Sequence, residues 1–518
     1  MRVQKATLNA VMNVLSFILL LFPAFIVRKA FIDALGNELL GLTALYTSMI
    51  GMLSILELGI GSAIVYALYQ PFAERNTIKI KGYLNYYAKF YKIIGAIILG
   101  VGICMLPFLP LFIKGNLNIM DARIYFLLFL ANSVITYFFS YKFSLLIVAQ
   151  EEYRIAVSMT LAKLGTFALQ FVLLKLYPSL YAFLIIQLVI NLLFYYILNR
   201  LIHKKFAWVF EVKGEIEPSE KRELTKNMKA MFFHKIGGIL VFSTDNIIMA
   251  YYINLGVVGV FNNYYMIISA FQATILNGLS GITASIGQLL TENNRENAFV
   301  VHQRLFFISF WLVSCMVISL WNTINSFILI WLNEEQLLDS LTIGLILVNL
   351  YIFLMRGSVD RFKEAGGIFY QDRYAPLIEG AVNIVASLVL VKVMGLSGIF
   401  LGTLISNIAV IFWVKPKMVY KYVFHKPLRQ YFQLYFKYLL FALIPLFVTH
   451  LVTSSLKGSD STLLFLSNCV LNLVIINGFY WALFHRTPEF SYFKKLVVNS
   501  LAASRSRFSF QKGFSRGQ

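Results

Sequence analysis

The chain has 518 residues, of which 59% are hydrophobic, 16% aromatic and only 13% charged, with a mean hydropathy of +0.73. A soluble domain is about 45–50% apolar and roughly 25% charged. The composition therefore excludes an aqueous globular protein and a disordered chain, and 3 cysteines exclude a secreted disulfide scaffold.

Apolar runs long enough to cross ~30 Å of hydrocarbon recur along the whole sequence. They predict an all-α integral membrane protein of about 14 transmembrane helices, near residues 7–27, 40–69, 93–113, 124–149, 155–176, 179–199, 231–253, 257–288, 305–332, 341–355, 375–394, 397–414, 433–452 and 462–484. The first run is too long for a signal peptide and lacks a small-x-small cleavage site, so it reads as an uncleaved span. The runs 40–69 and 257–288 exceed one crossing and must tilt or emerge into water. Cys104, Cys315 and Cys469 lie in apolar stretches and read as buried small hydrophobes. The adjacent pairs Glu151-Glu152 and Glu334-Glu335 fall in connections and read as solvated.

The connections alternate in charge. One set, holding Arg2 and Lys5, Arg75 to Lys92, Lys142, Arg154, the block Arg200 to Lys229, Arg295, Arg304, Arg356 to Arg373, Lys415 to Lys437 and the tail from Arg486, carries about 36 basic residues. The other set carries about 7, from Arg28 to Lys457. That imbalance predicts both termini in the cytoplasm. It also accounts for the net charge of +21 as a topology signal matched to anionic lipid head groups, with no nucleic-acid partner.

The longest polar connection divides the chain into six spans before it and eight after. The halves resemble each other at an offset of about 220 residues. Leu40-Gly41-Leu42 with Tyr46 matches Val258-Gly259-Val260 with Tyr264, Ile55-Leu56-Glu57 and Gly61 match Ile275-Leu276-Asn277 and Gly281, and Gln150-Glu151-Glu152-Tyr153 matches Gln371-Asp372-Arg373-Tyr374. The predicted plan is a six-helix lobe over 1–200, a cytoplasmic linker over 201–230, a second six-helix lobe over 231–425, two additional transmembrane helices over 426–485 and a basic cytoplasmic tail over 486–518.

Ionisable residues at membrane depth cost at least ~2.5–3.5 kcal/mol on insertion scales, so they face a cavity or a partner. The candidates are Arg28, Lys29, Glu57, Lys163, His234, Lys235, Asp245 and Glu379. Asp245 lies about 15 Å along a helix from Lys235 at 1.5 Å per residue. With Ser243, Thr244 and Asn246 it makes a polar belt, read either as a cavity lining that binds a coupling cation or a sugar, or as interhelical hydrogen bonding. Glu57 stands beside Gly59 and Gly61, where helices can approach closely. Arg28 and Lys29 close the first span and could bind phosphate or anchor it. Asn246, Asn262, Asn263, Asn277 and Asn383 add amides that bond either a sugar or a neighbouring helix. No GxxxxGK[ST], HExxH or Cys/His metal spacing occurs. No extramembrane segment is long enough for a catalytic domain.

The stretch 28–76, with Arg28-x-x-Phe31-Ile32, Gly36-x-Glu38-x-Leu40-Gly41-Leu42 and Glu57-Leu58-Gly59-Ile60-Gly61-Ser62-Ala63, resembles the first two spans of bacterial polysaccharide-biosynthesis flippases of the Wzx type. Residues 242–267 resemble the same family's seventh and eighth spans. That family belongs to the multidrug/oligosaccharidyl-lipid/polysaccharide exporter superfamily. The resemblance implies V-shaped six-helix lobes around a cationic cavity and no catalytic centre. It implies transport of an undecaprenyl-pyrophosphate-linked oligosaccharide to the outer leaflet by alternating access, for O-antigen, capsule or exopolysaccharide assembly. Arg28, Lys163 and Lys235 would supply the cationic charge. Glu57, Asp245 and Glu379 would carry coupling to H+ or Na+, with no other cofactor. A polysaccharide polymerase and a chain-length regulator are the expected protein partners. The competing readings are a cation-coupled multidrug or metabolite exporter on the same fold, a lipid II flippase, and a membrane glycan polymerase or ligase. The last is disfavoured by the short external connections.

Overall fold

In lipid a backbone satisfies its polar groups only within helices or closed barrels. The long apolar runs carry no strand alternation, and they fold accordingly. The computed structural model describes residues 2–57, 60–113, 117–222, 224–225, 244–280, 282–292, 294–368, 370–455 and 462–495, and among these it holds helices and no strand. The helices are α1 (Arg2–Leu53), α2 (Ile60–Ala73), α3 (Thr77–Met105), α4 (Ile119–Phe139), α5 (Phe143–Val148), α6 (Glu152–Leu176), α7 (Leu180–Lys205) and the short α8 (Ala207–Phe210). They continue with α9 (Asp245–Tyr252), α10 (Leu255–Ser280), α11 (Thr283–Thr291), α12 (Arg295–Trp331), α13 (Ser340–Met355), α14 (Gly357–Ala365), α15 (Ala375–Met394), α16 (Leu396–Ser406), α17 (Phe412–Val419), α18 (Leu428–Ser455) and α19 (Thr462–Phe484). π-helical turns at Asn407–Ile411 and Tyr420–Phe424 extend the α16 and α17 rod.

Among the described residues, 11 helices are long and apolar enough to cross a membrane, so the chain is a multi-pass membrane protein. The expected 14 are not reached for identifiable reasons. The first two spans join in α1, where Gly36 at φ 78 and ψ 174 breaks the path without ending the helix; only glycine enters that backbone region readily. The span 231–253 lies largely outside the described residues, and so do His234 and Lys235. The run 40–69 is not one helix but α1, a 3-10 turn at Ser54–Glu57 and α2. The run 257–288 likewise divides into α10 and α11.

The element order repeats, and so do the devices that hold it. Asn76 caps α3 by accepting from the Lys79 amide at 3.0 Å, and Asn294 caps α12 by accepting from the Asn297 amide at 3.0 Å. Asn118 accepts from the Met120 amide at 2.8 Å to cap α4, and Asp339 accepts from the Thr342 amide at 2.9 Å to cap α13. Each such cap stabilises its helix by about 1 kcal/mol. Tyr46 and Tyr264, both fully buried, each tie the second span of their half to the beginning of the fourth. Tyr46 donates to the Ala122 carbonyl at 2.7 Å; the Tyr264 hydroxyl accepts from the Leu338 amide at 3.0 Å and donates to Asn325 Oδ1 at 2.5 Å.

The chain divides into two compact units, 1–262 with 376–402, and 263–375 with 403–518. Within the first unit, α1 packs along α6. Gly41 faces the start of α10 so closely that a Cβ would lie 1.8 Å from the Leu255 carbonyl oxygen. A Cβ on Gly259 would lie 2.4 Å from the Asn37 carbonyl oxygen and 3.3 Å from the Gly41 amide. Small residues at both positions let the two backbones touch. Also in this unit, Glu151 is not solvated as expected. It is buried and forms ion pairs with Lys5 at 3.0 Å, Arg154 at 2.8 Å and Lys205. The reason is topological: the start of α1, the start of α6 and the end of α7 meet there. Cys104, on α3, is exposed, contrary to expectation, whereas Cys315 and Cys469 are half-buried.

Within the second unit an aromatic core forms around α12. Phe310 stacks on Tyr438 with centroids 4.6 Å apart, and Tyr480 donates to Ser314 Oγ at 2.8 Å. Asn322 Nδ2 donates to Thr449 at 2.9 Å and to Asn472 at 2.7 Å, so the last two helices are fastened to α12 through a half-buried amide. Asp372, the counterpart of Glu151, pairs with Lys363. Glu334 and Glu335 are exposed, as read from the sequence.

Candidate functional site

The intramembrane polar residues of the first unit fall into two clusters. The first is built on the break between α1 and α2. The 3-10 turn ends on Glu57, whose Oε1 accepts from the Tyr91 hydroxyl at 2.5 Å. Tyr87 sits one turn before Tyr91 on α3 and donates to its hydroxyl at 2.7 Å. Residues four apart share one helix face, which sets the two rings 4.3 Å apart. Tyr137 on α4 donates to Ser54 Oγ at 3.3 Å on the same turn. Gly61 lies beneath the Tyr87 hydroxyl, where a Cβ would approach to 2.9 Å. The result is a carboxylate at a helix discontinuity, joined to a file of phenol hydroxyls. Such a file can hand a proton to the carboxylate, and the carboxylate can hold a monovalent cation. Sequence reasoning missed Tyr87 and Tyr91, although their spacing in GYLNYYAKFYK was the available signal.

The second cluster joins α1, α9 and α10. Asn246 Nδ2 donates to Ser48 Oγ at 2.9 Å, and Asn262 Nδ2 donates to Asn246 Oδ1 at 3.2 Å and to the Val258 carbonyl at 2.8 Å. Asn246 is thereby an interhelical connector. Its neighbour Asp245 opens α9, and Asp245 Oδ1 is buried with no hydrogen-bond donor among the described residues. A buried carboxylate oxygen without a donor is costly unless a proton or cation offsets the charge.

The remaining candidates are more dispersed. Arg28 and Lys29 are half-buried on α1, within the helix and before its break at Gly36, not at its end. Lys163 is exposed on α6, two residues from Gly165, which has open space around it. Among the described residues no carboxylate is within ion-pair distance of Arg28 or Lys163. Glu379 is half-buried one turn into α15. Asn277 belongs to the second unit and is exposed in the last turn of α10, next to the break before α11. Lys235 lies outside the described residues. Among the described residues no group of three His, Cys, Asp or Glu side chains has the arrangement of a metal site.

No protein-family model matches the sequence, and no curated protein sequence matches it. Solved structures do. A lipid II flippase MurJ in an inward closed conformation superposes with a TM-score of 0.70 at 15% identity, covering 92% of this chain and 99% of its own. An inward-facing multidrug resistance MATE transporter of the MOP superfamily superposes at 0.60 with 16% identity, over 77% of this chain and 95% of its own. The Vibrio cholerae MATE transporter VcmN, in a mutant form, superposes at 0.55 with 12% identity, over 82% of this chain and 99% of its own. At these identities the likeness is one of fold, and the chain has the fold of these transporters.

Proposed function

We propose that this protein is a flippase that moves a polyprenyl-pyrophosphate-linked oligosaccharide from the cytoplasmic to the outer leaflet by alternating access. The observation that carries the proposal is the extent of the fold likeness. A lipid II flippase accounts for 92% of the chain, whereas a MATE exporter, itself 95% covered, accounts for only 77%. The motif at 28–76 adds the preference for a surface-polysaccharide repeat unit on undecaprenyl pyrophosphate.

The physical demands of such a substrate suit the residues. Its prenyl tail stays in lipid, so only the head needs a polar path. Arg28 and Lys163, without a carboxylate partner among the described residues, are suited to a pyrophosphate. In this reading Glu57 and Asp245 carry the coupling ion: each is a carboxylate at a helix start or break, the position where discontinuous helices bind ions in transporters. Asn246, Asn277, Glu379, Lys29 and Lys235 are the further residues proposed for the cavity. The two lobes 1–200 and 231–425 would rock about the linker, with both termini in the cytoplasm. The second reading, a lipid II flippase, is favoured by the MurJ likeness itself.

Deletion of the gene, followed by analysis of polyprenyl-linked glycans and surface polysaccharide, tests the proposal. Loss of surface polysaccharide with lipid-linked repeat units accumulating on the cytoplasmic leaflet is expected. Accumulation of lipid II instead would select the second reading. Unchanged glycans with altered drug or metabolite sensitivity would overturn both in favour of an exporter.

A further inference from the structure

Between the first turn of α6 and the last turn of α7 lies a cavity of about 440 Å³ whose mouth carries Arg154, Lys204 and Lys205. Its volume lies within the ~300–1,000 Å³ of small-ligand pockets. Its walls are apolar, formed by Val157, Leu198 and Leu201 among others.

Among the described residues the charge at the mouth is not balanced. Glu151 already takes ion pairs from Lys5, Arg154 and Lys205, and Lys204 takes no part in them. Glu152 is exposed at the start of α6 and is the other carboxylate of this turn. Four cations against two carboxylates leave an excess of two positive charges. They lie at the helix ends that share a side with the amino terminus, where lipid phosphates lie.

The apolar walls continue down into the membrane. Val157 and Leu161 are four residues apart on α6, and Leu201, Ile197 and Leu193 are spaced by four on α7, so each set keeps one face. Leu161 is 66% exposed, Ile197 55% and Leu193 52%. A basic mouth over an apolar stripe matches an amphiphile whose phosphate stays at the interface while its chains lie along the protein. We infer that this cavity is a binding site for an anionic phospholipid of the leaflet facing the amino terminus. Its phosphate would be held by Arg154, Lys204 and Lys205, and an acyl chain would run over Val157, Leu201 and Leu161.

The test uses the purified full-length chain in detergent. Retained lipid is counted by native mass spectrometry with phosphatidylglycerol, phosphatidylcholine and inorganic phosphate as probes. Phosphatidylglycerol should be retained in preference to both other probes. Arg154→Gln together with Lys204→Gln should weaken its retention by about fivefold per charge removed. Lys204→Gln alone, which leaves the Glu151 ion pairs intact, should show its own share of the loss. Leu201→Gln should also weaken phosphatidylglycerol retention. Lys417→Gln with Lys421→Gln, exposed cations elsewhere, should change nothing. Equal retention of phosphatidylcholine, equal loss in the Lys417/Lys421 variant, or inorganic phosphate binding as tightly as the lipid would each overturn the inference. None of these outcomes depends on which substrate the protein transports.

Discussion

The two halves of the sequence use the same fastenings and differ at the break in their second span. Asn76 and Asn294, Asn118 and Asp339, and Tyr46 and Tyr264 perform the same local tasks about 220 residues apart. At the break, the first half places Glu57 against Tyr91 and Tyr87, while the second has Asn277 in the last turn before its break. Shared positions answer to geometry common to both halves: a cap, a close approach, a buried tie. Divergent positions are free of that demand, and a charge retained at membrane depth despite its cost is where function concentrates.

The largest effect on folding is expected where two backbones touch. Gly41→Ala drives a Cβ into the Leu255 carbonyl and should cost about 3 kcal/mol or more. Gly100→Ala, with nothing within 4 Å, should change stability by no more than about 1 kcal/mol. Thermal unfolding of the two purified variants checks the contrast, and similar melting points would show that the Gly41 contact is not tight.

The tyrosine ties sharpen the comparison further. Tyr264→Phe strands both the Leu338 amide and Asn325, and Tyr46→Phe strands only the Ala122 carbonyl. An unsatisfied buried partner costs about 1–3 kcal/mol, so Tyr264→Phe should destabilise more. Equal losses would mean that one of the Tyr264 bonds contributes nothing.

A smaller, pH-dependent effect is expected at Glu151. Burial pushes its carboxyl up, but hydrogen bonds and charge from Lys205 and Lys5 outweigh that and hold it down at about 2. A depressed carboxyl stabilises the fold fully above its ordinary value of 4.5 and loses that contribution as pH falls towards about 2. Wild type and Glu151→Gln should therefore differ in melting temperature at pH 7, and the difference should shrink below pH 4.5. A gap that stays constant with pH would remove the ion pairs as its cause.

Hydropathy made the membrane class legible, because about 20 consecutive apolar residues have one economical fate in lipid. The match of Tyr46 with Tyr264 was also legible, since identical tasks keep similar residues at one offset. The helix breaks were not. The runs 40–69 and 257–288 hold no proline, and hydropathy carries no information on φ and ψ. Glu151 differs from the sequence reading because two of its three partners, Lys5 and Lys205, lie 146 and 54 residues away in sequence. The polar belt was found at Asp245 and Asn246, but its partner Ser48 is 198 residues from Asn246 and visible only in the fold.

The most direct test of the proposed function and of its two buried carboxylates, Glu57 and Asp245, is complementation of a deletion strain with Glu57→Gln and Asp245→Asn. Surface polysaccharide is measured against the amount of protein in the membrane. Both variants should accumulate to wild-type levels while surface polysaccharide falls to the level of the deletion. Wild-type export by both, at matched protein level, would contradict the account and return these carboxylates to a packing role.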